Sequence, residues 1–376
     1  MSAKLLIVAG ESSGELYGSL LASYLKEKFE LIGIGGKYMA QSGVKLIGEI
    51  THSFGGFEVL GHIKKIRKNM EAATKALKEV QGVILIDFPD FNLTLAKKAK
   101  EMGKKVLYYV SPQIWAWRHG RINIIRKVVD FMAVVLPFEE TIYKKAGVPV
   151  KFVGHPMFEA MIEELPDEEH TQYRKFLREK YGISQDTVVT LMPGSRPSEI
   201  KRKMPLMLEL IKIFPSYHFI IPKAPNIEFS ESTLKKITSS GNVTILKEKS
   251  FTALAMSDVA VITSGTSTLQ ATLLKIPMVV IYRLNPLSYV IGKAIIKGVK
   301  HITLPNVIAD FMNLGDVRVP EFIQKFDTKI IAEQVNLLLY DNAYREKIIN
   351  FLDSIRKYFV GKKASLEVSE ICKQLF

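Results

Sequence analysis

Residues Lys4–Glu15 read KLLIVAGESSGE, an apolar run of Leu, Ile and Val closed by a polar turn with two glycines and two serines. The helical period of Leu16–Lys28 follows directly. Strand, tight turn and helix in that order form the repeating piece of a parallel α/β sheet. Working outward, the same alternation predicts strands at Leu31–Gly35, Val83–Asp87, Lys105–Val110, Phe131–Leu136 and Val150–Val153. Helical patterns fill most gaps between them, including Leu16–Lys28, Glu58–Val80 and Phe91–Glu101.

Past Pro156 the composition changes. Glu159–Glu169 holds six acidic residues, no basic ones and a central proline, as a linker would. A second βα series follows, with strands predicted at Val188–Met192, His218–Ile221, Val243–Leu246, Val259–Thr263, Met278–Tyr282 and His301–Leu304. From Thr328 to the end the pattern is helical and charged. The expected fold is α/β: two Rossmann-like doubly wound domains facing across a cleft, at 1–160 and 161–327. Helices over 328–376 are expected to pack back on an N-terminal domain, the chain's own or a partner's. A chain of 376 residues is long enough for two such cores.

Composition narrows the function classes. The chain is 47% hydrophobic and 24% charged, which fits a folded globular protein. Cys372 is its single cysteine, so neither a disulfide framework nor a multi-thiolate metal site forms within one chain. The seven histidines show no ligand spacing, and no metal is expected. The apolar start is too short for a secretion signal, and no stretch reaches the roughly 20 apolar residues of a spanning helix. The net charge of +14 calls for an anionic partner: nucleic acid, anionic lipid or a phosphorylated substrate. Positive charge is spread over both halves rather than along one stripe, and no nucleic-acid motif is present. Two basic, apolar segments, Leu60–Met70 and Pro286–Lys297, suit an anionic lipid surface or ordinary amphipathic packing.

In open parallel sheets ligands bind beyond the carboxyl ends of the strands, so the loops there hold the candidates. Gly10–Glu15 lacks dinucleotide spacing, and its Glu11 and Glu15 would repel a pyrophosphate. With Ser12 and Ser13 it suits a sugar or hydroxyl-bearing ligand, or is simply a capped helix start. At the end of Val83–Asp87 two acids follow in the order Asp87-Phe88-Pro89-Asp90. Asp90 is placed to cap the next helix, which leaves Asp87 as the general-base candidate. Ser111–Arg118 brings both tryptophans, Trp115 and Trp117, beside Arg118, as a platform for sugar and phosphate or as core plugs. In the second half, Gly194, Ser195 and Arg196 open one helix, and Ser264, Gly265 and Thr266, followed by Gln270, open another. Two strand-to-helix turns of this kind suit a nucleoside diphosphate better than ordinary capping does.

These motifs, in this order, resemble the lipid-A-disaccharide synthases, inverting glycosyltransferases of the GT-B fold. The resemblance covers nearly the whole chain, through AGESSGE at 9–15, FEVLGHI at 57–63, IDFPDFN at 86–92, YVSPQIWAWR at 109–118, LPFEETIY at 136–143, FVGHP at 152–156, MPGSRPSEI at 192–200, SGTSTLQ at 264–270 and LPNVI at 304–308. It implies transfer of a diacylated glucosamine from its UDP ester to the 6-hydroxyl of a diacylglucosamine 1-phosphate. The first domain would take the acceptor and the second the UDP end of the donor. Asp87 and Glu11 match the family's acids at the reaction centre, Arg196 a basic residue near the diphosphate, and Asn306 a polar residue facing the cleft. The resemblance further implies no cofactor and attachment to the cytoplasmic face of a membrane, and it is compatible with a homodimer. Gln270 departs from the acid usual in its motif, Glu15 stands where Asp is usual, and Gly55-Gly56 replaces a more apolar pair. Two rival readings are a UDP-sugar 2-epimerase and a non-catalytic lipid- or nucleic-acid-binding protein.

Overall fold

The strand read from Lys4–Ala9 is β1, Ala3–Ala9, with Leu5–Ala9 entirely buried. A strand covered on both faces has no use for polar alternation, which is why it reads as an unbroken apolar run. In this computed structural model, residues 3–50, 59–162, 170–223, 227–239, 242–247, 249–263, 265–285, 289 and 298–376 are described. They form two compact units, one built from Met1–Ala160 and Gly361–Phe376, the other from Met161–Ala294 and Val299–Val360.

The first unit adds β2 (Phe29–Gly35), β3 (Lys45–Glu49), β4 (Gly82–Ile86), β5 (Lys105–Tyr109), β6 (Phe131–Val134) and β7 (Val150–Phe152). All are parallel, in the order β3-β2-β1-β4-β5-β6-β7. The order reverses direction between β1 and β4, the place where an open α/β sheet splits to make a crevice at its carboxyl edge. The loops after these two neighbours are Gly10–Glu15 and Asp87–Asp90. Edge strand β3 was not predicted; its residues are only half-buried or exposed, so it lacks the apolar run that marked the others.

The second unit contains β8 (Val188–Met192), β9 (His218–Pro222), β10 (Val243–Leu246), β11 (Val259–Thr263), β12 (Met278–Tyr282) and β13 (Glu321–Ile323), parallel in the order β10-β9-β8-β11-β12-β13. Here the reversal falls between β8 and β11, which sets the turns after Met192 and Thr263 side by side. The strand predicted at His301–Leu304 is not one. A helix, Leu304–Met312, starts there, because Pro305 suits a first helical turn and Glu321 accepts the backbone N–H groups of Ile302 and Thr303. The last strand is β13.

The C-terminal helices divide between the two units, so they do not all pack back on an N-terminal domain. Thr328–Tyr340 and Asn342–Arg356, capped by Asp327 and Asp341, belong to the second unit. Only Ala364–Leu375 joins the first unit, packing on the helix Ser12–Leu25. There Glu159 accepts the Ser365 N–H at 2.8 Å, and the Phe376 ring occupies the space a side chain at Gly82 would need.

Candidate active site

At the first reversal point Asp87 follows β4 with φ of 50°, and Phe88 follows with 44°. Two successive non-glycine residues in the left-handed region are costly, so surrounding contacts must hold them there. The Asp87 N–H donates to the Tyr109 carbonyl at 3.0 Å. Its carbonyl accepts from the Tyr108 hydroxyl at 2.6 Å and from Asn92 Nδ2 at 2.8 Å. With both backbone groups engaged, the main chain at Asp87 is held in this unusual conformation. Burial, and then the charge of Glu11, push the Asp87 carboxyl up to about 6. Tyr17, buried nearby, is held above the usual phenol range by burial and by the charge of Asp87. Gly10 completes the turn, since a Cβ there would lie 2.2 Å from the Phe88 ring.

The structure separates the two acids of the Gly10–Glu15 loop. Glu11 sits at the extended position just before the helix, where its charge acts on Asp87. Glu15 is buried and accepts the Tyr38 N–H at 2.9 Å, a purely structural role. Ser12 and Ser13 are exposed in the first helical turn.

Asp90 does not cap its helix. The position before Pro89–Glu101 is Phe88, with no side-chain cap, while Asp90 pairs with Arg118 at 2.7 Å and with Arg121. Arg118, expected on a platform for sugar and phosphate, also lies 4.6 Å over the Trp117 ring. Trp115, the tryptophan expected to hold a sugar, is instead a plug. It is 8% exposed, and its Nε1–H donates to Glu139 at 3.0 Å. Trp117, two residues further on, is the half-buried face beside the arginines. Glu139 was missed. It is 1% exposed and accepts from Ser111 Oγ at 2.7 Å, Trp115 and the Leu136 N–H. Burial pushes its carboxyl up to about 7 even though these donors pull it down.

In the second unit Gly194 has φ of 113°, and a Cβ on it would lie 2.4 Å from Glu199 Oε2. That carboxylate accepts the Ser195 and Arg196 N–H groups at 3.1 and 3.3 Å, so Glu199, not Ser195, satisfies the helix start. An anion binding at this turn must compete with Glu199 for those amides. The Arg196 side chain is exposed. Beside it, Gly265 and Thr266 are exposed at the start of Thr266–Leu273, whereas Ser264 lies outside the described residues. Gln270 is engaged sideways, accepting from Ser250 Oγ at 2.9 Å.

Asn306 requires a correction. It is fully buried, and its amide bonds the Val319 carbonyl at 3.0 Å, the Val319 N–H at 3.0 Å and Glu321 at 3.2 Å. Both ends of the amide are spent bracing the approach to β13, so it does not present a polar group for a ligand. Among the described residues no group of three His, Cys, Asp or Glu is placed to hold a metal ion.

Similarity to known proteins follows the same lines. Among solved structures, the UDP-GlcNAc 2-epimerase from Neisseria meningitidis bound to UDP-GlcNAc superposes with a TM-score of 0.67 at 15% identity, covering 99% of this chain and 100% of that one. A UGT transferase from Siraitia grosvenorii in complex with UDP gives 0.60 at 13%, covering 99% of each chain. At these identities the likeness is one of fold, the GT-B class of two parallel α/β domains. In sequence, the lipid-A-disaccharide synthase of Geobacter metallireducens is 38% identical over 99% of this chain and 97% of its own. That of Coxiella burnetii is 36% identical over 98% of each. The sequence model described as lipid-A-disaccharide synthetase matches residues 5–368, and the chain belongs to that family, glycosyltransferases of lipid A biosynthesis.

Proposed function

We propose that the enzyme transfers 2,3-diacylglucosamine from its UDP ester to the 6-hydroxyl of 2,3-diacylglucosamine 1-phosphate, giving the β-1′,6-linked disaccharide 1-phosphate and UDP. The observation that carries this reading is the Asp87 carboxyl at the first reversal point, set under the charge of Glu11 and held near 6 rather than in the ordinary carboxylate range. A stronger base removes an alcohol proton more effectively, and at neutral pH this one is still ionised. Asp87 takes the hydroxyl proton as the acceptor oxygen bonds to the anomeric carbon. The bond from that carbon to the diphosphate oxygen breaks, and UDP leaves with the electron pair. Backside displacement inverts the centre. Glu11 orients the same hydroxyl and, through its charge, strengthens the base. The first unit takes the acceptor, and the second holds the UDP end near Gly194, Arg196, Gly265 and Thr266, where Arg196 and the helix starts face the growing negative charge.

Incubation with both diacylated monosaccharides in EDTA should give the disaccharide by mass and stoichiometric UDP. Omitting the acceptor should give neither. Isomerised donor without an acceptor would favour the epimerase reading, and loss of activity in EDTA would overturn the metal-free mechanism.

The charge has a use in the same scheme, since both substrates carry acyl chains. We place the enzyme peripherally on the cytoplasmic face of an anionic membrane. Ile63 is 56% exposed beside exposed Lys64, Arg67 and Lys68, as a surface-lying segment requires. Pro286–Lys297, apart from Tyr289, lies outside the described residues. No described helix is long and apolar enough to cross a membrane. Binding to anionic vesicles should weaken severalfold between 0.05 and about 0.5 M salt, read by co-sedimentation. Salt-independent binding would contradict the use of charge.

A further inference from the structure

The helix Pro197–Ile213 carries a lysine that the scheme above leaves unused. Lys203 is 2% exposed, deeper than lysines normally lie. It stands four residues after Glu199 on the same helix face, where a Glu–Lys pair is the ordinary outcome. That pair does not form, because the Glu199 carboxylate turns back to the Ser195 and Arg196 amides. Among the described residues Lys203 makes no hydrogen bond or ion pair. Its Nζ instead lies 5.8 Å from the centre of the Tyr282 ring, at the carboxyl end of β12. Tyr282 in turn feels the charges of Glu199 and Arg196, so all four side chains share one neighbourhood beyond the ends of the strands. A nearly buried ammonium without an anion is costly, and an aromatic face offsets only part of that cost. Such a group is matched once an anion arrives at the turn.

We propose that Lys203 completes the anion site at the Gly194–Arg196 turn and bonds the diphosphate of the nucleotide donor. This rests on the UDP-donor reading above. Arg196 then meets the anion from the exposed side and Lys203 from the buried side. The anion takes over the Ser195 and Arg196 amides from Glu199, whose freed carboxylate is within the reach of Lys203 along the helix. Burial, against the attraction of Glu199 and with the repulsion of Arg202, brings the Lys203 ammonium down to about 8. Besides these and Arg196, Tyr282 faces it; burial keeps that phenol above its usual range and neutral. In the free site Lys203 therefore loses its charge just above neutral pH, where an ordinary lysine would keep it, and Arg196 is left as the remaining cation of the turn.

The test compares UDP with uridine by calorimetry on the full chain, with Lys203→Met as the variant. Methionine keeps the length and removes the charge. UDP affinity should fall about tenfold or more, uridine affinity should hold, and the ligand-free variant should melt no lower than the wild type. In the wild type, the ratio of UDP to uridine affinity should fall about fivefold or more from pH 7 to 9, since both ligands share the titrating base. That arm needs no variant, so it stands even if Lys203→Met fails to fold. Unchanged UDP affinity in Lys203→Met, or a flat ratio in the wild type, would overturn the proposal. Failure of the wild type to bind UDP at all would remove the donor reading itself, a distinct outcome.

Discussion

Asp87→Asn should lower turnover by ~10² or more and, at pH 8, make the protein harder to unfold. The first effect follows from loss of the proton acceptor, since an amide of the same shape binds but does not take a proton. The second follows from the burial that makes Asp87 useful. Its folded carboxyl titrates near 6 and the unfolded one near 3.8. Between those values the folded chain holds a proton that the unfolded chain has released. Stability therefore declines as pH rises through this window and stays lower above it. Asparagine has no such proton, so at pH 8 it recovers up to about 3 kcal/mol, and at pH 3 the advantage disappears. Thermal melts at the two pH values measure this, and the wild-type kcat/KM should fall below about pH 6 as the base is protonated. Near-normal turnover would remove Asp87 from the role of base. Equal melting at pH 8 would show that its ionised form is not disfavoured by the fold.

The other large effect belongs to Glu139. Substitution by alanine takes the acceptor from the Ser111 hydroxyl, the Trp115 ring N–H and the Leu136 N–H at once, all in buried surroundings. Buried donors left without partners, together with the space vacated by the side chain, should cost about 3–5 kcal/mol in urea unfolding at pH 7.5. Glu139→Gln keeps an acceptor oxygen and should cost far less. The pH dependence distinguishes the two forms of the residue. Because burial raises Glu139 from 4.5 to about 7, wild-type stability should decline across that interval as the folded form is made to ionise. The Gln variant should lack this component of the decline. A loss under 1 kcal/mol for Glu139→Ala would mean that the Ser111–Trp115 loop is not held by this carboxylate.

The sequence disclosed the doubly wound plan because buried parallel strands such as β1, β4, β8 and β11 are unbroken apolar runs between helical segments. It also identified the loops of both reversal points, since each lies at the end of such a run. It did not disclose β3, a half-exposed edge, or the helix start at Leu304, whose β-branched approach imitates a strand. Side-chain direction inside a loop was equally hidden. Trp115 and Trp117 are equivalent in pattern, yet one is anchored by Glu139 and the other lies beneath Arg118. Asn306 matched a family motif, but its amide turns inward to Val319. Glu139 and Lys203 were missed for one reason: charged residues at helical positions read as solvent-facing, and nothing in periodicity marks a charge that the fold has buried.

The return of Ala364–Leu375 to the first unit bears on how the chain is made. Topologically, the second unit is an insertion within the first. A nascent chain that has produced everything up to Ala160 still lacks the helix that covers Ser12–Leu25 and the ring that fills the space at Gly82. About 200 further residues must be synthesised first, which at ribosomal rates takes roughly 10–40 s. Through that interval the first unit waits with an uncovered apolar flank, while the second can fold behind it. The order of completion is therefore the reverse of the order of synthesis, and exposure to chaperones or to self-association falls on the N-terminal half.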